Sequence, residues 1–200
     1  MKTILVPTDF SDCASNALHV ALEMAKIVPA EIVVAHVLEL AETVYVDYTG
    51  PSVDFSGFLR EQAEQEMMSL KSRVMAEHNI LIKTVIYQSP VHDNIVQAAR
   101  DHNAALIITG TKGAGKVSEK LWGTHTASLI GKSKIPVLAI PKNYKWRKPE
   151  RILLATNHFE KDPVSWETLN GIIELFAATL HVVVFTDEIN DKAVTSVAHN

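Results

Sequence analysis

Short apolar runs and longer amphipathic stretches take turns along the first two thirds of the chain. Ile4-Leu5-Val6 has the uninterrupted apolar character of a strand buried on both faces. Ser11 then stands where a helix N-cap is wanted, ahead of a stripe of Ala14, Ala17, Leu18, Ala21, Leu22 and Ala25 at helical spacing. The same reading gives strands over 31–38, 80–87, 105–109 and 136–140, and helices over 57–78, 91–102 and 124–132. Residues 43–56, with Tyr45, Tyr48, Gly50, Pro51 and Phe55, keep no period and read as a loop. Met67, Met68 and Met75 on the long helix read as core or interface fillers rather than ligands.

Strands alternating with helices imply a parallel sheet covered on both faces. Five such strands before residue 141 predict an α/β, flavodoxin-like open sheet, whose ligands lie beyond the carboxyl ends of the strands at a switch point. Pro7 and Asp9 follow the first strand, Val37 ends the second, and a glycine-rich loop follows the fourth, so the chemistry gathers at that edge.

The loop, Gly110 to Thr124, reads G-T-K-G-A-G-K-V-S-E-K-L-W-G-T. Strand, glycine loop and helix start in that order suit an anion. Glycine lets main-chain N–H groups approach without a Cβ in the way, and the first N–H groups of the helix add partial positive charge. The stretch G-T-K-G-A-G-K at 110–116 imitates a Walker A loop, but Val117 stands where that motif needs a hydroxyl for magnesium. Neither His36 nor His125 has a cluster of ligands at metal spacing around it, and both read as packed or solvent-bonded histidines. Ser118 lacks a G-x-S-x-G setting and is no hydrolase nucleophile. Asp9 taken alone reads first as a cap for the helix that begins nearby; its coincidence with the glycine loop turns it into a candidate ligand contact.

Composition narrows the partners. The 200 residues are 47% apolar and 21% charged, enough for one large domain or a domain and a fragment, with no apolar run of membrane-spanning length. A formal net charge of −4 argues against a nucleic-acid binder, while Lys112, Lys116 and Lys120 suit a phosphate loop. The single Cys13 rules out an internal disulfide, and the chain opens directly on a strand pattern without a signal peptide, so the cytoplasm is the expected location.

The spacing Gly110-x-x-Gly113, nine residues, Gly123-Thr124 resembles the ATP loop of the universal stress protein family at every position. I-L-V-P-T-D-F-S-D at 4–12 and V-V-A-H-V at 33–37 are similar to the family's first and second strands. The resemblance covers residues 1–141 and implies an adenine nucleotide alpha hydrolase-like sheet. It implies ATP, or ADP or AMP, bound by Pro7, Thr8, Asp9, Val37, Thr109, Gly110, Gly113, Gly123, Thr124 and His125. Asp9 takes the ribose and base region, Val37 meets adenine through its backbone, and the loop with Thr124 and His125 cradles ribose and phosphates. Magnesium held through Asp9 is the one metal contact in view. P-V-L-A-I before Pro141 resembles the family's last strand, commonly a dimer edge, so a homodimer is expected.

Beyond a basic linker at 142–150, I-L-L-A-T-N-H-F-E at 152–160 repeats the outline of 4–12. Asp162 and Pro163 suit a helix start, with Trp166, Leu169, Ile172, Ile173 and Phe176 on its apolar face, and 181–185 reads as a second strand. The repeat implies a tandem universal stress protein whose second copy, 151–200, stops after β-α-β. Asn157 and Ala155 replace Asp9 and Pro7, so one nucleotide site per chain is expected. Two strands and a helix bury little apolar surface, so this fragment has to lean on another surface. The function implied is a nucleotide-binding stress regulator acting through conformation or partner choice. A slow ATPase in the same pocket and a nucleotide-free interaction scaffold are the alternatives, with weak ATP hydrolysis the most enzyme activity expected.

Overall fold

The computed structural model describes residues 3–39, 55–111, 124–156, 163–185 and 195–196. The chain divides into two compact units, Met1–Tyr144 and Lys145–Asn200.

In the first unit the elements run β1 (Thr3–Thr8), α1 (Asp12–Ile27), β2 (Glu31–Leu38), α2 (Phe55–His78), β3 (Lys83–Gln88), α3 (Val91–Asp101), β4 (Leu106–Gly110), α4 (Thr124–Lys132) and β5 (Val137–Ile140). The five strands form one sheet in the order β3-β2-β1-β4-β5, each pair parallel, as the alternating pattern requires. Its three inner strands are the apolar ones, because a strand covered on both faces has no solvent side to present. Ile4, Leu5, Val6, Ile32, Val33, Val34, Ile107 and Ile108 are fully buried.

Right-handed crossovers put α1 and α2 on one face and α3 and α4 on the other. Leu5, Val33, Ala35, Val37 and Ile107 pack on the second face with Ile95, Val96, Ala98 and Ala99 of α3 and Leu129 of α4. On the first face α1 buries Ala17, Val20, Ala21 and Met24, and α2 buries Ala63, Met67, Leu70 and Val74. Ser11 caps α1 as its position predicts: it is extended, and its hydroxyl accepts from the Ala14 N–H at 3.2 Å.

In this unit two boundaries move by two residues or more. Pairing of β3 with β2 begins at Val33↔Lys83, so the apolar residues 80–82 precede the strand, and Leu81 is 72% exposed. Helix α2 starts at Phe55, ahead of the expected 57, and the rest of the loop predicted over 43–56 lies outside the described residues. Met67 fills the core while Met68 and Met75 are exposed.

The second unit holds β6 (Arg151–Thr156), α5 (Pro163–Phe176), β7 (Thr179–Val184) and β8 (Thr195–Ser196). β6 and β7 pair in parallel along their whole length, from Arg151↔Thr179 to Thr156↔Val184. A third strand corrects the expectation that this part ends after β-α-β: β8 pairs antiparallel with β7 through Val182↔Ser196 and Val183↔Thr195. Thr195-Ser196 is too short and too polar to carry a strand period, so its pairing is invisible before the chain folds. Phe176 is buried, with its ring 6.2 Å from that of Trp146, while Trp166, Leu169, Ile172 and Ile173 are half-buried. Asp162 and Asn157 lie outside the described residues. Among the described residues no helix is long and apolar enough to cross a membrane.

Candidate functional site

The chain leaves β1 for β2 and reaches β4, on the other flank of β1, only after β3. The connections after β1 and β4 therefore diverge, which makes the carboxyl ends of these two strands the topological switch point where open sheets of this kind place their ligand crevice. Asp9 is the first residue past β1 and Gly110 the last of β4, so the sheet brings together two sequence-predicted positions about a hundred residues apart. Pro7 is buried at the end of β1, Thr8 and Thr109 are half-buried, and Asp9 is exposed.

Val37 borders the same crevice. Pairing between β1 and β2 stops at Thr8↔His36, leaving Val37 and Leu38 beyond the end of β1. Leu38 is turned toward β3, its carbonyl accepting from the N–H of Ser89 at 2.9 Å and from its hydroxyl at 3.1 Å. Main-chain groups alternate sides along an extended strand, so those of Val37 face the β1 side. Its side chain is 8% exposed and belongs to the core under α3, which leaves the backbone as its route to any ligand.

The turn from β1 into α1 is strained and locally fastened. Phe10 has φ of 60°, a left-handed conformation that costs a bulky residue on the order of 1 kcal/mol or more. Its N–H donates to the Thr8 hydroxyl at 3.0 Å, and its ring lies 4.7 Å from that of His36. The Nδ1–H of His36 donates to the Thr8 carbonyl at 2.8 Å. The carboxylate of Asp9 accepts from the Ser11 N–H at 3.1 Å. Ser11 thus does the capping, and Asp9 is a turn residue at the edge of the crevice rather than the cap. His36 is a packed histidine that holds the turn, the role its isolation in the sequence suggested. Phe10, in contrast, had no sequence signal beyond lying beside Asp9.

At the other strand end, Gly110 is required by the fold itself. A Cβ there would stand 2.8 Å from Sγ of Cys13 and 2.9 Å from both its carbonyl carbon and oxygen, so α1 crosses β4 where only glycine fits. The Thr126 hydroxyl donates to the Gly110 carbonyl at 2.8 Å, tying the first turn of α4 to the start of the loop. The following N–H, of Thr111, donates to the Ile140 carbonyl of β5 at 3.0 Å. Gly113 and Gly123 lie outside the described residues, as do the side chains of Thr124 and His125, whose backbone begins α4. The first turn of α4 therefore stands beside the carboxyl end of β4. Lys142 forms an ion pair with Asp12 at 2.9 Å, and its ammonium holds the Asp12 carboxyl below its ordinary range. Among the described residues no three His, Cys, Asp or Glu side chains gather where they could hold a metal ion.

The sequence model of the universal stress protein family matches residues 1–141. Universal stress protein MJ0577 of Methanocaldococcus jannaschii is 28% identical over 155 residues, which cover 70% of this chain and 95% of that one. The solved structure of MJ0577 superposes with a TM-score of 0.58, covering 72% of this chain and 98% of its own. A universal stress protein solved from Archaeoglobus fulgidus is 21% identical with a TM-score of 0.68, and the match covers 90% of this chain and 65% of that one. Another, solved in complex with cAMP, is 20% identical with a TM-score of 0.53 and covers 70% of this chain and 96% of its own. With a parallel β3-β2-β1-β4-β5 sheet under a family match that runs from residue 1 to residue 141, the chain belongs to the universal stress protein family.

Proposed function

We propose that this protein binds an adenine nucleotide, ATP or its ADP or AMP relatives, in the crevice between β1 and β4, and that binding regulates its conformation or its choice of partner in a stress response. The observation that carries the reading is the meeting of Asp9, the Val37 main chain and Gly110 at one switch point, with a glycine loop leading from Gly110 to the N-terminus of α4. Such an edge offers a carboxylate for ribose hydroxyls, main-chain groups for an adenine edge and N–H groups for phosphate. Family membership and a fold neighbour solved with cAMP support the same ligand class.

In this reading the protein is a regulator, and weak ATP hydrolysis is the most enzyme activity it would show. The carboxylate of Asp9 is engaged in holding the turn, accepting from the Ser11 N–H. Magnesium would enter through the nucleotide and Asp9. In this reading residues 151–200 form an incomplete second repeat after a linker at 142–150, supported by the parallel β6-α5-β7 unit and by a fold neighbour that covers 90% of the chain. That repeat has no second glycine loop in its sequence, giving one site per chain. A homodimer in the cytoplasm completes the proposal.

Mass spectrometry of small molecules released from the purified protein by denaturation tests the ligand class. An adenine nucleotide near one per chain is expected. A protein that releases none, and takes up none when mixed with ATP, would leave only the interaction-scaffold reading.

A further inference from the structure

The first two turns of α1 do more than follow the Asp9 turn. They also grip the chain as it leaves the first unit. After β5, the Ile140 carbonyl accepts from the Cys13 thiol at 3.6 Å and from the Thr111 N–H at 3.0 Å. The next residues fold into a turn, with the Tyr144 N–H donating to the Pro141 carbonyl at 3.0 Å. One side chain on α1 then holds that turn from within: the Asn16 amide donates to the carbonyls of Pro141 at 2.9 Å, Lys142 at 3.3 Å and Tyr144 at 2.9 Å. An amide has two N–H donors, so three acceptors around it make a shared, closely fitted set. The Asp12 carboxylate adds the ion pair to Lys142.

These contacts converge on the residues that shape the crevice. Asp9 fixes the N–H of Ser11, and Ser11 caps the helix that carries Asp12, Cys13 and Asn16. Gly110 lies against the Cys13 backbone with no room for a Cβ, so the start of α1 cannot move toward β4 independently of the loop. Thr111, the next residue of that loop, bonds the same Ile140 carbonyl as Cys13. A ligand that repositions Asp9 or the loop start must therefore act on α1 and β5 at the points where residues 141–144 are fastened. Packed elements of this sort shift between discrete arrangements rather than deform continuously.

We propose that the first two turns of α1 are a clasp coupling the crevice to the linker: nucleotide at the Asp9 and Gly110 edge and fastening of residues 141–144 by Asn16 favour one another. The proposal rests on the nucleotide reading above, and it names what that nucleotide would control, the release of the segment that leads into the second unit. Coupling of this kind is reciprocal, so loosening the clasp must weaken the nucleotide by the same factor that the nucleotide tightens the clasp.

Trypsin reads the clasp directly in the full-length chain, because the Lys142 carbonyl is one of the three that Asn16 holds, while Lys145 lies outside the clasp and serves as the internal reference. Asn16→Ala is expected to raise cleavage after Lys142, relative to Lys145, by about tenfold, the ratio expected from losing roughly one net hydrogen bond. Asp12→Asn, which leaves the amide in place, should raise it less and covers the case in which Asn16→Ala does not fold. Saturating ATP is expected to lower the same ratio by about fivefold in the natural protein and to leave Asn16→Ala unchanged, while calorimetry shows ATP affinity about fivefold weaker in Asn16→Ala. ATP binding with cleavage after Lys142 unaltered, or equal ATP affinity in both proteins, overturns the clasp and leaves the nucleotide reading standing. No ATP binding to the natural protein overturns both.

Discussion

Replacing Gly110 with alanine adds one methyl group at the point where β4 meets α1, and the structure says what it would strike. Two of the three nearest atoms, at 2.9 Å, are the carbonyl carbon and oxygen of Cys13; the third, at 2.8 Å, is its sulfur. A flexible side chain could turn away, but a helix backbone cannot yield without moving α1. Overpacking of a well-filled site costs about 1–3 kcal/mol, and main-chain atoms put Gly110→Ala at the upper part of that range. Urea denaturation followed by circular dichroism should therefore show a midpoint lowered by about 1 M or more, taking a slope of roughly 2 kcal/mol per molar urea. Cys13→Ala removes the sulfur but neither main-chain atom, so it should rescue Gly110→Ala only in part. Gly131 in α4 and Gly171 in α5 are the controls: a Cβ at either meets nothing within 4 Å. Alanine there should stabilise by up to about 1 kcal/mol through helix propensity. A Gly110→Ala protein as stable as the natural one would refute the close approach of α1 to β4, and with it the role given to this glycine in shaping the crevice.

Tyr87 is pushed up to about 12 by burial first and then by its 2.8 Å hydrogen bond to the Asp101 carboxylate. Its phenol is neutral in the fold where an ordinary tyrosine begins to ionise, so its contribution to stability is complete below about pH 10 and is lost as pH rises through about 12. The tyrosinate absorbance difference between the natural protein and Tyr87→Phe should have its midpoint near 12, and Asp101→Asn should lower it only partway because burial remains; a midpoint near 10 would contradict the assignment. Gly113→Val and Gly123→Val should each weaken ATP by roughly a hundredfold in calorimetry, through lost charge-assisted bonds of about 1.5–3 kcal/mol each. Lys116→Ala should cost about 1 kcal/mol or less at physiological salt, since its attraction is long-range and solvated, and a complete loss of binding there would revive the Walker reading of the loop.

The strand and helix order was legible because each element carries its own signature: a continuous apolar run for β1 and β2, a helical stripe and a serine cap for α1. Where two signals overlapped, the boundary slipped. Ile80-Leu81-Ile82 looks like strand, yet the pairing that makes β3 starts only at Lys83, since a parallel strand is defined by its neighbour and not by its own apolarity. The candidate site was legible as positions but not as parts. Asp9 and Gly110 stood out by motif, whereas the left-handed Phe10, the ring of His36 beneath it and the Thr126 hydroxyl on Gly110 depend on contacts across the sheet. Asn16 reads in the sequence as an ordinary polar residue between apolar stripe positions; its three acceptors lie at residues 141–144, beyond any local pattern. In the second unit, β6, α5 and β7 were legible from their own apolar runs and the proline-marked helix start, but the two-residue β8 had no periodicity to show.

In the proposed function the β1 and β4 strand ends form an adenine-nucleotide site with Asp9 at its edge. Calorimetric titration of the natural protein and of Asp9→Ala with ATP, both checked for native secondary structure, tests it most directly. One site per chain is predicted in the natural protein, with affinity in Asp9→Ala weaker by roughly ten- to a hundredfold, the cost of one hydrogen-bonded charged group. Saturable binding that is unchanged in Asp9→Ala would place the nucleotide elsewhere, and the absence of any binding to the natural protein would refute a nucleotide site in this chain.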